Sequence, residues 1–177
     1  MGLECSGELV DPHTLEPTGE RVMALLPGGG YAQYAKTLRS HTMELDDDMS
    51  YERAACIPKA FCTAYQLLNW EAKVQAGETA LVHAAASGVG AVLLQMCELQ
   101  GVNTIAVASS DSKLEFCEQL GAEHMINRSR TPEFSKAVLQ HTDNKGVDLI
   151  LDPVLGSSFN EVSLFSFLFG QSRPYKF

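Results

Sequence analysis

Hydrophobic residues between positions 78 and 152 form short apolar runs, which alternate with longer segments of helical period. The runs predict four strands, at residues 78–83, 103–109, 123–127 and 146–152. The segments between them predict three helices, at residues 91–100, 111–120 and 132–141. Such alternation is typical of a parallel sheet with helices on both faces. We therefore expect an α/β, doubly wound sheet in the order third, second, first, fourth strand.

The first fifty residues follow a different pattern, in which apolar runs are broken by glycine and proline. Residues 19–25 predict a strand, and residues 27–35 predict a turn followed by another strand. Ser50 is a good N-cap for a helix through Ala54 and Ala55. This part of the chain is therefore expected to be the end of a mostly β lobe.

The first predicted strand of the sheet ends in a turn of small residues that opens a helix. Backbone N–H groups at such a helix start, together with the helix dipole, suit a pyrophosphate. The pattern G-x-G-x-x-G would put glycine at positions 85, 87 and 90, whereas the chain has Ala85, Ser87 and Gly90. The alternative is a helix start that only packs tightly on the strand. The turn residues predicted to bind a dinucleotide are Ala86, Ser87, Gly88, Val89 and Gly90.

Charge and cysteine usage narrow the class of protein. The chain has 177 residues and a formal net charge of −9, which argues against nucleic acid as a partner. Its five cysteines are scattered without a C-x-x-C pair, as expected for reduced thiols in a cytoplasmic protein. No apolar run is long enough to predict a membrane span, so we expect no membrane partner.

Several short motifs stand out along the chain: residues 2–7 (GLECSG), 19–22 (GERV), 23–34 (MALLPGGGYAQY), 54–58 (AACIP), 63–68 (TAYQLL), 74–78 (VQAGE), 82–90 (VHAAASGVG) and 146–152 (GVDLILD). Taken together, and in this order, they resemble the zinc-free quinone oxidoreductases (zeta-crystallin-like) of the medium-chain dehydrogenase/reductase superfamily, most closely the tumour-suppressor-inducible branch. The resemblance covers residues 1 to about 160.

The resemblance implies hydride transfer from a nicotinamide to a small-molecule quinone or enone, without a metal. Zinc-dependent relatives have a histidine at the position of Leu3 and a four-cysteine lobe that this chain lacks. The five histidines are accordingly interpreted as surface or element-end residues. Thr63 matches a family position near the nicotinamide, where its hydroxyl would help orient the ring as the candidate catalytic residue. A threonine that only packs between helices is the alternative.

Cofactor choice depends on the end of the second predicted strand. NAD sites usually place a carboxylate about 20 residues after the turn, and Asp111 lies close to that position. In the family, hydroxyls and a lysine here, matched by Ser109, Ser110 and Lys113, accompany a preference for NADPH, and Arg128 matches a position near the adenosine phosphate. The expected cofactor is therefore NADPH. Asp111 argues against this choice, because its carboxylate would repel a 2′-phosphate if it pointed into the site. The alternative is that Lys113 and Arg128 are ordinary solvated charges that bind no phosphate.

The chain departs from the family at both ends. We expect residues 1–50 to be the remnant of a GroES-like lobe, 51–160 an incomplete dinucleotide-binding domain and 161–177 a divergent tail, as in a truncated product of marginal stability. The fourth strand is then expected to lose its outer neighbour and to have an open edge. Residues 162–170 form an apolar, β-prone segment, which would either fill the missing strand position or aggregate. Three hypotheses follow: a quinone or enone reductase, a nucleotide-binding fragment without turnover, and a fragment that forms homo-oligomers or pairs with full-length relatives.

Overall fold

The structure is a computed structural model, which describes residues 1–154 and 173–175. The chain divides into two compact units, Met1–Cys62 and Thr63–Phe177. Within the described residues, no helix has both the length and the apolar character needed to cross a membrane. The predicted domain limits at residues 50 and 160 remain predictions.

The first unit is built on an antiparallel sheet of three strands, in the order β1-β2-β3. They are β1 (Glu4–Val10), β2 (Pro17–Leu25) and β3 (Thr42–Glu44). The strand predicted in the second half of residues 27–35 is absent, because residues 31–34 form bends and Tyr31 is 85% exposed. The backbone N–H groups of Gly29 and Gly30 instead donate to the carbonyls of Met1 and Gly2, which ties this loop to the start of the chain.

Helical segments follow the small sheet. They are α1 (Tyr51–Ala54), α2 (Pro58–Tyr65) and a π-helical continuation at Gln66–Ala72. The predicted cap at Ser50 is confirmed, since its hydroxyl accepts a hydrogen bond from the backbone N–H of Arg53 at 3.3 Å.

The second unit is built on a parallel sheet in the order β6-β5-β4-β7-β8. Its strands are β4 (Thr79–His83), β5 (Asn103–Ala108), β6 (His124–Asn127), β7 (Leu149–Leu151) and β8 (Arg173–Tyr175). The first four strands have the predicted order and confirm the doubly wound α/β fold. In register, Leu81 of β4 lies opposite Ile105 on one side and Ile150 on the other.

Three helices connect the strands from β4 to β7: α3 (Gly88–Leu99), α4 (Asp111–Gln119) and α5 (Phe134–His141). Alternate residues of the strands bury one apolar face of the sheet against α5. That core cluster contains Leu81, Ile105, Val107, Ile126, Phe134, Val138, Val147 and Ile150. Gly121, shortly after the end of α4, has a φ of +91°, a conformation that glycine adopts without strain.

The expectation of an open edge at the fourth strand is wrong. Residues Arg173–Tyr175 pair in parallel with β7, so the sheet gains a fifth strand. Pro174 lies in this outermost strand, the kind of position where a residue without an N–H group is tolerated. The apolar segment at 162–170 lies outside the described residues.

Candidate nucleotide-binding site

The turn between β4 and α3 is shaped by small residues. Ala84 adopts a positive φ of +50°, and Ser87 caps α3 by accepting a hydrogen bond from the N–H of Gly90 at 3.2 Å. A Cβ on Gly90 would lie 2.5 Å from the carbonyl oxygen of Ala84, so only glycine lets the helix approach the strand this closely. Among the described residues, the N–H groups of Gly88 and Val89 meet no protein acceptor, as expected for a first helical turn.

A cavity of about 160 Å³ lies at the carboxyl edge of the sheet, beside this turn. It is lined by His83, Ala84, Ala86, Ser87, Val107, Ala108, Ser109, Lys113, Arg128 and Val154. Five of the predicted cofactor residues therefore come together here: Ala86, Ser87, Ser109, Lys113 and Arg128. The cavity is smaller than the ~300–1,000 Å³ typical of ligand pockets, so it suits a part of a dinucleotide.

The remaining predicted residues do not line this cavity. Gly88, Val89 and Gly90 form the first turn of α3 beside it. Ser110 is the N-cap residue of α4, and its hydroxyl lies 3.2 Å from that of Ser112. Thr63 lies on α2, and its place near a nicotinamide stays a prediction.

Two cationic side chains give the cavity a positive character. The Nζ of Lys113 donates to the hydroxyl of Ser109 at 3.4 Å, which directs the ammonium across the end of β5. Arg128 follows β6, and its backbone N–H donates to the carbonyl of Ala108 at 3.0 Å. An anionic group in the cavity would meet both cations together with the serine hydroxyl.

The carboxylate of Asp111 is engaged away from these cations. Its Oδ1 accepts a hydrogen bond from Asn127 at 2.7 Å, and its Oδ2 forms an ion pair with Arg130. Asp111 does not line the cavity. Asp111 therefore does not place a negative charge in the lining of the cavity, where it would oppose a phosphate.

His83 is a site residue that the sequence interpretation missed. It ends β4, but its side chain is only 2% exposed, so a surface position is wrong. Within the described chain neither ring nitrogen has a hydrogen-bond partner, and the ring packs edge-on against Phe134 with centroids 4.8 Å apart. Burial lowers the pKa of His83, the charge of Asp152 opposes this, and the charge of Arg128 adds to it. The available signal was strand alternation, which puts His83 on the same face as buried Leu81.

No group of three or more histidine, cysteine or acidic residues with metal-binding geometry occurs within residues 1–154, the range whose side chains are described.

Sequence comparison finds similar proteins for most of the chain. Residues 88–165 match the family of the zinc-binding dehydrogenase domain. The chain is 33% identical over 179 residues to the lovastatin diketide synthase of Aspergillus terreus and 36% identical over 171 residues to squalestatin tetraketide synthase of Cochliobolus lunatus. These matches cover 93% and 91% of this chain but 7% of each relative.

Solved structures match over more of their length. The CurK enoyl reductase superposes with a TM-score of 0.83 at 28% identity, covering 99% of this chain and 59% of that one. The quinone oxidoreductase of Thermus thermophilus, solved also in complex with NADPH, gives a TM-score of 0.75 at 31% identity, covering 92% and 50%. A mycobacterial protein solved with NADPH gives 0.80 at 30% identity, covering 90% and 51%.

The fold is thus that of the enoyl reductases and quinone oxidoreductases of the medium-chain dehydrogenase/reductase superfamily. Within the second unit, residues 88–165 are similar to the zinc-binding dehydrogenase domain. The chain spans about half to three fifths of the solved chains and less than a tenth of the curated relatives described above.

Proposed function

We propose that this chain is the NADPH-binding part of an oxidoreductase that transfers hydride from the nicotinamide to a quinone or an activated alkene. The observation that carries the proposal is the cavity in which Ser109, Lys113 and Arg128 converge beside the first turn of α3. Cations, a hydroxyl and free N–H groups at the carboxyl edge of a parallel sheet suit a phosphorylated dinucleotide.

The preference for NADPH over NADH rests on the division of charges at the ends of β5 and β6. Lys113 and Arg128 line the cavity, whereas the carboxylate of Asp111 is held by Asn127 and Arg130. A 2′-phosphate in the cavity would therefore meet two cations without a facing carboxylate. The NADPH complexes of two structural relatives support this choice.

The chain's residues position the cofactor, which supplies the hydride when bound. The N–H groups of Gly88 and Val89 and the hydroxyl of Ser87 would hold the diphosphate. Ser109, Lys113 and Arg128 would hold the 2′-phosphate, and Ser110 would border it. We assign to Thr63 the orientation of the nicotinamide, an assignment that rests on the resemblance alone. No residue of this scheme requires zinc.

The acceptor is either a quinone or an activated alkene. The likeness to quinone oxidoreductases supports the first. The finer assignment to the tumour-suppressor-inducible branch rests on the sequence resemblance alone. The likeness to the CurK enoyl reductase and to polyketide synthases supports a carbon–carbon double bond conjugated to a carbonyl. The chain covers only part of each of these relatives. The second proposal is therefore a fragment that binds nucleotide, or pairs with other subunits, without turnover.

Titration of the purified chain with NADPH and separately with NADH, followed by nicotinamide fluorescence, tests the proposal. NADPH oxidation is then measured with 1,4-benzoquinone and with crotonyl-CoA as acceptors. Saturable binding that prefers NADPH, with turnover of either acceptor, would support the oxidoreductase. Binding without turnover would favour the fragment, and an absence of binding to both nucleotides would overturn the proposal.

A further inference from the structure

The lining of the candidate site contains a buried imidazole that the proposed function does not use. His83 lines the cavity together with Ser109 and Arg128, and its side chain is almost completely buried. Both ring nitrogens are buried and without a hydrogen-bond partner in the described part of the chain. Because buried polar groups are nearly always paired, this imidazole points to a missing partner in the cavity.

Neighbouring strands place an acid beside this histidine. Val82 of β4 lies opposite Leu151 of β7 in parallel register, so the next residues, His83 and Asp152, leave the sheet side by side. Both are 2% exposed. The Oδ1 of Asp152 accepts a hydrogen bond from the N–H of Val154 at 2.8 Å, which holds the carboxylate in a tight turn.

Packing fixes the orientation of the imidazole, and burial favours its neutral form. Edge-on packing against Phe134 restricts rotation of the ring. Burial lowers the pKa of His83, while the charge of Asp152 opposes that shift and the charge of Arg128 reinforces it. A neutral imidazole carries one N–H donor and one acceptor nitrogen, which suits an oxygen-rich ligand such as a ribose phosphate.

We propose that His83 is a ligand-contacting residue, whose imidazole N–H donates to an oxygen on the adenosine-side ribose phosphate of the bound dinucleotide. This inference rests on the proposed function and adds a residue to its site. The contact would lie in the same cavity as Ser109 and Arg128. Asp152, at the end of the neighbouring strand, contributes a negative charge that opposes the effect of burial on the pKa of His83.

Two opposite effects of one substitution test this contact. His83→Phe keeps a ring that can pack against Phe134 but removes both polar nitrogens. It should weaken NADPH binding about 5- to 30-fold, the equivalent of one neutral hydrogen bond left unmade. It should also leave the melting temperature of the nucleotide-free protein equal or higher, since two unpaired polar atoms leave the interior. A residue that is only structural would not combine these two effects.

The experiment is isothermal titration of the wild type, His83→Phe and His83→Gln with NADPH, 2′,5′-ADP and nicotinamide mononucleotide. His83→Gln keeps a donor and should lose less affinity than His83→Phe. Equal losses for NADPH and 2′,5′-ADP would support an adenosine-side contact. His141→Phe, which changes a histidine that does not line the cavity, is the matched control and should bind both as the wild type does.

Two results would overturn the contact while leaving the proposed function intact. The first is unchanged affinity of a folded His83→Phe variant, which would mean that water alone pairs the imidazole. The second is a loss of affinity for NADPH or nicotinamide mononucleotide without any loss for 2′,5′-ADP. Wild-type protein that binds none of the three probes would overturn both the contact and the proposed function.

Discussion

Gly90 approaches the backbone of Ala84 so closely that a Cβ at position 90 would lie 2.5 Å from the Ala84 carbonyl oxygen. No flexible side chain can move to relieve this contact, because the opposing atoms belong to the backbone of the turn. The contact holds the start of α3 against the end of β4. The orientation of the free N–H groups of Gly88 and Val89 depends on it.

Gly90→Ala should therefore destabilise the protein by about 1–3 kcal/mol, the usual cost of overpacking, and should lower NADPH affinity. Urea unfolding and fluorescence titration measure the two effects. Gly88→Ala is the matched control for stability, since a Cβ there would meet no atom within 4 Å. Equal stability of the two variants would contradict the close approach.

Lys113→Ala and Arg128→Ala should each weaken NADPH binding about 10- to 100-fold, because each removes a charge-assisted hydrogen bond worth about 1.5–3 kcal/mol. NADH binding should change little, since NADH lacks the phosphate at the 2′ position. Comparing dissociation constants for both nucleotides measures the difference. Lys136→Ala, which removes an exposed ion pair with Glu133, should leave both constants unchanged. Parallel losses for NADPH and NADH would contradict the assignment of these cations to the 2′-phosphate.

Acid should destabilise the fold through its histidines. Burial lowers the pKa of His83, and burial together with the charge of His124 lowers the pKa of His141. The unfolded chain therefore binds more protons than the native one as the pH falls below about 6.5. The free energy of unfolding should drop from pH 7.5 to pH 5.5, and less steeply in His83→Phe. Urea midpoints at several pH values check this, and an unchanged slope in the variant would assign the effect to other groups.

The cysteines should separate into two classes by reactivity. Burial raises the pKa of Cys97 to about 12 and also raises that of Cys117, so both thiols stay protonated and shielded. Cys56 and Cys62 are exposed. Brief treatment of the native protein with iodoacetamide, followed by peptide mass mapping, should label Cys56 and Cys62 but not Cys97. Rapid labelling of Cys97 would indicate that α3 opens readily.

Local sequence was enough to predict the elements of the sheet and their order. Apolar runs set the first four strands to within a few residues, and the small residues around Ser87 predicted the turn into α3. Both signals are local, because alternation and turn chemistry depend on near neighbours along the chain. Local signals failed at residues 31–35 and at the outer edge of β7. There the outcome depended on hydrogen bonds to Met1 and Gly2 and on pairing with the distant Arg173–Tyr175.

The sequence by itself determined the α/β class, the strand order and the residue types that suit a phosphorylated dinucleotide, since these depend on periodicity and on the chemistry of side chains. Only the tertiary structure decided which of those residues meet. It paired the carboxylate of Asp111 with Arg130, outside the lining of the cavity, and it buried His83 beside Asp152. Those outcomes depend on neighbouring strands and helices that are distant in sequence, so no local pattern contains them.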